Sequence, residues 1–499
     1  MRMCQRWHFD QMQFGGLPVI GALQGATVPS AFFRSVDRLI HVCYAQLSTM
    51  VLARAYERQK HGGEINLVGG ILMADEKVQV SRRSILSSGV LGGAAAIIAA
   101  SNSGARAQSS EPIIIGTAAA LTGWGAADGI DFKQGAEMAI EEINRLGGIC
   151  GRQVVHVAED AKEMGPQNNI AATRALIDRH GVNAIINGYI VGAGPEYDLV
   201  ADADIIHLNS ETYETTAAMV RGDPKRYYGI FSDSTETWYG VGLVAYLKQL
   251  VESGTFKPIN NKIALITSNN PYSLLIAQVV RDNAPKNGWE VSLYEEVVQP
   301  IADWGPTLAK IRADPPGVII NTHFFPQDIA QFALQFAQNP TSSLVYMQYG
   351  PSIPEFIELA GDTANGILWA TVIGTLPGEF GLNFEARYKE RYGENSGFRN
   401  GGQTYDLTMI YGAAAAMAGG IDDPRKLADI LKNRIIHRGV CGAWRFNTDD
   451  QCTRPYPYGV NDPSLGLAHH FYQIQGGKHV MVSPEPWIEG KFQIPGWIK

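Results

Sequence analysis

Short apolar runs alternate with amphipathic segments from residue 113 onward, and this alternation restricts the chain to one fold class. Ile113-Ile114-Ile115-Gly116 has the continuous hydrophobicity of a buried strand, and apolar residues recur at helical spacing from Phe132 to Arg145. Gly147-Gly148 predicts the end of that helix, because glycine adopts the left-handed cap conformation without steric cost. Strands that alternate with helices are typical of a parallel sheet covered on both faces, so the sequence predicts an α/β fold.

The same alternation begins again after residues 227–231, which indicates a second α/β unit of similar size. Two Rossmann-like lobes with a cleft between them are the simplest architecture, and such sheets bind ligands at the carboxyl ends of their strands. The other predicted strands are 154–157, 184–186, 263–266, 291–298, 317–320 and 344–347, with an antiparallel ending at 443–446, 471–474 and 479–482. The other predicted helices are 168–179, 237–251, 272–283, 304–312, 329–338, 405–418 and 424–432.

A secretory leader precedes this region. Ser81-Arg82-Arg83 is followed by a weakly apolar run, Gly89–Ala100, and then by the small-residue cleavage site Ala105-Arg106-Ala107. The adjacent arginines indicate the twin-arginine type, so we expect cleavage after Ala107 and a periplasmic mature protein. The alternative is a buried helix, since the apolar run is too short to span a bilayer. Residues 73–107 are the predicted signal peptide, and 1–72 read as an over-extension of the reading frame or a disordered segment.

Composition narrows the class of the mature protein. About 390 residues follow the predicted cleavage site, enough for two cores of ordinary size. A formal net charge of −8 argues against a nucleic-acid partner. No apolar run after the leader is long enough for membrane insertion. Cys441 and Cys452 are either bridged across a hairpin, as an oxidising compartment permits, or free thiols.

A series of motifs runs in order along most of 111–450. It begins with Ile114–Leu121, Thr122-Gly123-Trp124-Gly125, Gly135–Ala139, and the asparagine, double-glycine and Gly-Arg pattern of Glu142–Val154. It continues through Asp160, Ala175–Ile177, Val182–Gly188, Asp362–Ile367 and Tyr405-Asp406. These segments resemble the type I periplasmic binding proteins of ABC transporters, and the most similar group is the branched-chain amino acid, amide and urea binders, the Leu/Ile/Val-binding family.

The resemblance implies a receptor that closes on its ligand by a hinge and delivers it to an ABC permease in the membrane. Three crossovers, near 232, 371 and 443, would join the lobes in this periplasmic binding protein-like fold. Lobe one would comprise 111–232 with 372–442, and lobe two 233–371 with 443–499. The implied ligand is a small polar molecule such as an amino acid, short amide or urea-like compound. No cofactor and no metal are implied.

The resemblance also implies which residues contact the ligand. In lobe one, backbone N–H groups of the loop after the third strand could hold an anion or a carbonyl oxygen, and hydroxyls of the next loop could orient a zwitterion. An alignment shifted by one favours Asn209 and Glu211 instead, and helix capping or core packing remain alternatives for these positions. Gln348 replaces the carboxylate of the ammonium binders, which suits a neutral ligand. The predicted lobe-one contacts are Trp124, Tyr189, Gly192, Ala193, Ser210 and Thr212, and the lobe-two contacts are Trp238, Tyr272, Phe324 and Tyr349.

An exported enzyme is the competing class. Gly192-Ala193-Gly194 lacks the third glycine of a dinucleotide fingerprint, no G-x-S-x-G turn occurs, and His469-His470 has no ligand pattern around it. A sensory receptor that presents its ligand to a membrane protein would have the same fold. The prediction is a non-catalytic solute receptor.

Overall fold

The computed structural model describes residues 111–190, 194–394 and 396–499. The predicted leader, Met73 and the loop residues Gly192 and Ala193 lie outside the described residues. Within them the fold is the expected one, with two α/β lobes and a parallel sheet in each.

Lobe one is built on a five-stranded parallel sheet in the order β2-β1-β3-β4-β5. Its central strands are almost entirely buried because helices cover both faces, as their unbroken apolar runs require. The strands are β1 Ile113–Ala119, β2 Val154–Asp160, β3 Ala184–Asn187, β4 Ile206–Asn209 and β5 Ile230–Phe231. The helices are α1 Ala126–Arg145, α2 Pro166–Arg174 (continued by a π-helical turn, Ala175–Arg179), α3 Pro195–Asp202 and α4 Glu214–Gly222.

Lobe two is built on a seven-stranded sheet in the order β16-β15-β10-β9-β8-β6-β7. Its parallel strands are β6 Lys262–Ser268, β7 Glu290–Val297, β8 Val318–Asn321, β9 Leu344–Gln348 and β10 Leu368–Thr371. The helices are α5 Thr237–Glu252, α6 Pro271–Asn283, α7 Gly305–Ala313, α8 Pro326–Gln338 and α9 Pro354–Ala360. The sheet ends in the predicted antiparallel pair, β15 His470–Gln475 and β16 Lys478–Ser483.

After β10 the chain returns to lobe one. It forms α10 Glu379–Tyr392, α11 Gly401–Ala418 and α12 Pro424–Asn433, and then a small sheet in the order β11-β12-β14-β13. Helix α11 packs directly on α1, where the Thr404 hydroxyl donates to the Phe132 carbonyl at 2.6 Å. The small strands are β11 His437–Gly439, β12 Gly442–Trp444, β13 Pro455–Tyr456 and β14 Leu467–Ala468.

Two of the connections between the lobes run side by side. Ser232 forms a parallel bridge with Cys452, and the Thr453 hydroxyl donates to Asp233 Oδ1 at 2.9 Å. Burial raises the pKa of Asp233 to about 7. The exact division into 111–232 with 372–442 and 233–371 with 443–499 stays a prediction.

Several local predictions need correction. Helix α1 begins at Ala126 rather than Phe132, because its first turn is small and polar and lacks the apolar period. Helices α4, α9 and α10 and strands β4 and β10 were not predicted from the sequence. Cys441 and Cys452 are free, buried thiols, so the free alternative holds in the structure. No helix in the described ranges combines the length and apolarity needed to cross a bilayer.

Candidate ligand-binding site

A cavity lies between the lobes, at the place where α/β sheets of this kind bind small molecules. The residues that line the cavity lie in the loops or helix starts that follow the carboxyl ends of the parallel strands, as expected for α/β sheets. The lining residues are Trp124, Tyr189, Ser210, Thr212, Tyr213, Tyr239, Tyr272, Phe324, Tyr349 and Ile373.

On the lobe-one side, the loop after β1 carries Trp124. Asp160, at the end of β2, orders this loop by accepting hydrogen bonds from the Leu121 N–H at 2.9 Å and the Thr122 hydroxyl at 2.7 Å. The end of β3 is tied to β1 because Asn187 accepts from the Ala118 N–H at 2.9 Å. These side-chain bonds hold the ends of neighbouring strands in one plane and thereby fix the start of each lining loop.

The loop after β4 presents hydroxyls to the cavity. Ser210 is 1% exposed, and its Oγ has no hydrogen-bond partner, so it is available to a ligand. Neither Ser210 nor Thr212 caps helix α4, whose N-cap residue is Tyr213. Glu211 lies between the two hydroxyl residues but accepts a hydrogen bond from Tyr197. The structure therefore brings Ser210 and Thr212 to the cavity, rather than the pair given by the shifted alignment.

Asp128 joins the two lobes. Its Oδ2 accepts hydrogen bonds from the Tyr189 hydroxyl at 2.5 Å and from the Tyr349 hydroxyl at 2.7 Å. Tyr189 belongs to lobe one and Tyr349 follows β9 in lobe two, so the second bond crosses the cleft. Burial raises the pKa of Asp128 above its usual value, and the hydrogen bonds from the tyrosines oppose that shift. This buried carboxyl is therefore hydrogen-bonded to residues of both lobes.

Aromatic contacts close the cleft at a second place. The Trp124 ring centroid lies 5.9 Å from that of Phe324 and 5.2 Å from that of Phe325. Tyr213 and Tyr272 approach across the cavity with centroids 6.3 Å apart. Tilted pairs at these distances are favourable arrangements of aromatic quadrupoles.

Hydrogen bonds within lobe two position Tyr272. Asn270 caps α6 by accepting from the Tyr272 N–H at 3.0 Å, and Gln348 Nε2 donates to the Tyr272 hydroxyl at 2.9 Å. Gln348 Oε1 accepts in turn from the Tyr346 hydroxyl at 2.5 Å. The Gln348 amide is thus engaged behind Tyr272 and does not line the cavity.

Seven of the ten residues predicted from the sequence line this cavity: Trp124, Tyr189, Ser210, Thr212, Tyr272, Phe324 and Tyr349. Trp238 does not line it. Its neighbour Tyr239 does, because successive residues of a helix point about 100° apart and only one of the two can face the cleft. Gly192 and Ala193 lie outside the described residues.

Sequence reasoning missed Tyr213, Tyr239, Ile373 and Asp128. Asp128 lies in the first turn of α1, directly after the loop that carries Trp124, so its nearness in the chain to a predicted contact was the available signal. Ile373 lies in a crossover between the lobes, and no sequence periodicity marks such a segment.

Known proteins share this architecture. The sequence profile of the periplasmic binding protein family matches residues 112–458, which is more than half of the chain. The chain belongs to this family. Its curated relatives include an amino acid binding protein of Pseudomonas aeruginosa, 26% identical over 330 residues, which covers 65% of this chain and 83% of that protein. The Leu/Ile/Val-binding protein homolog 2 of Brucella abortus is 24% identical over 69% of this chain and 89% of its own.

Solved structures agree with this placement. A crystal structure from Silicibacter pomeroyi, provisionally assigned to a branched-chain amino acid ABC transporter, is 45% identical with a TM-score of 0.74. The match covers 78% of this chain and all (100%) of that one. The isoleucine complex of LivJ from Streptococcus pneumoniae, at 19% identity and a TM-score of 0.59, shares the fold over 75% of this chain and 100% of its own. The protein is a type I periplasmic binding protein of the branched-chain amino acid transporter type.

Proposed function

We propose that this periplasmic binding protein captures a small solute between its lobes and delivers it to an ABC permease. The observation that carries the proposal is the inter-lobe cavity with a buried, unpartnered Ser210 hydroxyl among aromatic rings. A buried hydroxyl without a partner costs free energy unless a ligand supplies the hydrogen bond. The seven predicted residues that line the cavity are the proposed contacts, and Gly192 and Ala193 would complete the lobe-one side.

Closure is the second part of the proposal. Ligand binds first to lobe one, and lobe two then closes over it by a hinge motion. The bond from Tyr349 to Asp128 and the contact of Trp124 with Phe324 form only when the lobes meet, so they favour the closed state. The closed form presents a surface built from both lobes to the permease, whose ATPase supplies the energy. The receptor itself performs no catalysis.

Location is the third part. We propose export by the twin-arginine route with cleavage after Ala107. The support is the succession of paired arginines, apolar run and small-residue cleavage site in the sequence of residues 81–107. Mass spectrometry of the protein recovered from the periplasmic fraction should give an amino terminus at Gln108. A mature protein that begins near Met1 would contradict both the cleavage site and the over-extension of the reading frame.

A thermal-shift screen of the exported protein tests the binding function. Amino acids, amides, ureas, organic amines and aromatic acids are each added at high concentration, and a ligand far above its dissociation constant raises the melting temperature. Uptake of the labelled ligand by cells with and without the gene then separates a transport receptor from a sensory one. No shift with any class of solute would refute the proposed function.

A further inference from the structure

The lining of the cavity carries no charged side chain among the described residues. Seven of its ten residues are aromatic, and none of the ten is acidic or basic. A free carboxylate would therefore meet no lysine, arginine or histidine among the described residues that line the cavity.

Two carboxyl groups lie directly behind the aromatic lining. Asp128 is 2% exposed and contacts the cavity through Tyr189 and Tyr349, and Glu211 is 1% exposed between Ser210 and Thr212. Among the described residues no lysine or arginine forms an ion pair with either carboxyl. Burial raises the pKa of both carboxyl groups; a cationic ligand would favour their ionised forms, whereas an anionic ligand would disfavour ionisation further.

The hydrogen bonds of the tyrosines add to this preference. Because Tyr189 and Tyr349 donate their protons to Asp128, electron density shifts toward the phenol oxygens and their rings. Aromatic faces attract cations through the ring quadrupole, and the attraction increases when the cation is removed from water. Trp124 supplies the indole, which is the strongest of the side-chain partners for a cation.

We propose that the solute is a small organic cation, a protonated or fully alkylated amine that also carries one polar group. The ammonium group lies among the aromatic rings of Trp124, Tyr189, Tyr272 and Tyr349, and the Ser210 hydroxyl bonds the polar group. This inference rests on the proposed receptor function and names its ligand class.

The first experiment compares two molecules of the same shape. Choline and 3,3-dimethyl-1-butanol differ only in that a carbon replaces the charged nitrogen. Both are titrated calorimetrically into the exported full protein, together with tetramethylammonium, propylammonium, isoleucine and benzoate. We expect at least one organic cation to bind, and the neutral compound of matched shape to bind about tenfold or more weakly than choline.

The second experiment removes the carboxyl group of Asp128, which a bound cation would draw toward its ionised form. Asp128→Asn keeps an oxygen that accepts from both tyrosines, so we expect weaker binding of the cation and unchanged binding of its neutral counterpart. Trp238→Ala is the control, because Trp238 lies beside the site on α5 without lining it. If Asp128→Asn does not fold, the comparison of choline with its neutral counterpart still decides the question on the unaltered protein.

The outcomes separate the two proposals. Binding of isoleucine or benzoate without binding of any organic cation would overturn the cation inference and leave the receptor function intact. Equal affinity for choline and its neutral counterpart would also overturn it. If no compound in this titration binds, and no solute in the broader thermal-shift screen raises the melting temperature, both proposals are overturned.

Discussion

The hydrogen bond between Tyr349 and Asp128 should control how readily the lobes close. Both side chains are buried, at 7% and 2% exposure, and the bond of 2.7 Å is made only when lobe two reaches lobe one. Burial raises the pKa of Asp128, which favours a neutral carboxyl, so the bond contributes about 1 kcal/mol rather than the larger value of a charged pair. Tyr349→Phe should thus shift the equilibrium toward the open form about fivefold.

The affinity for the ligand measures this change in the equilibrium between the open and closed forms. A receptor whose closed state is less favourable binds its ligand more weakly by the same factor, so the dissociation constant from calorimetry should rise about fivefold. The radius of gyration of the liganded protein from small-angle X-ray scattering should change little at saturation, whereas at intermediate ligand concentration it should move toward the open value.

Tyr388→Phe is the matched control. Its hydroxyl donates to another buried aspartate, Asp131, at 2.8 Å, but both residues belong to lobe one. We expect a lower melting temperature and an unchanged dissociation constant. The reasoning fails if Tyr349→Phe leaves affinity within twofold of the original protein, or if Tyr388→Phe weakens binding equally.

Three other predictions concern the cavity, the connections between the lobes and the packing of lobe one. Trp124→Ala should weaken ligand binding about tenfold or more, because it removes a central aromatic contact, while Trp238→Ala should leave calorimetric affinity nearly unchanged. Burial raises the pKa of Asp233 to about 7, so the folded state retains a proton that the unfolded chain loses near pH 4. The contribution of Asp233 to stability is present below about pH 4 and is lost as the pH rises to about 7. Asp233→Asn should therefore flatten the dependence of the melting temperature on pH in this range. If the profiles of the variant and the original protein run parallel, the assignment is contradicted. Gly135→Ala would place a Cβ 1.8 Å from a carbonyl oxygen of α11, so the free energy of unfolding, measured with denaturant, should fall by about 2–3 kcal/mol. Gly222→Ala is the control and should be nearly neutral, because its Cβ would meet nothing within 4 Å. Equal effects of the two substitutions would refute the packing argument.

The sequence was informative where one physical cause determines the local structure. Continuous apolar runs identified the buried parallel strands β1, β3, β6, β8 and β9, whereas β4 and β10 were not predicted. The resemblance placed Ser210, Tyr272 and Phe324 at one site because the loops after parallel strands converge at the same edge. The positions of these residues follow from the order of strands and loops along the chain, which can be read from the sequence.

Other features depend on three-dimensional packing and were not accessible in the same way. The choice between Trp238 and Tyr239 is a rotation of α5 about its own axis, and the apolar pattern of that helix fits either choice. Asp128 becomes an inter-lobe contact only through Tyr349, which is 221 residues away in the chain. Cys441 and Cys452 are likewise free and buried in the folded chain, which their spacing in the sequence did not determine.

The return of the chain to lobe one, and then to lobe two, has a consequence for biosynthesis. Strand β10 is synthesised about a hundred residues before β15, the strand that pairs with it, and the last strand ends at residue 483 of 499. Until translation is nearly finished, the edge of β10 exposes unpaired backbone groups, which are the template for intermolecular pairing. Nascent chains of this protein thus have a long interval of aggregation risk, and a premature stop codon even near the 3′ end of the gene would leave lobe two without two strands of its sheet.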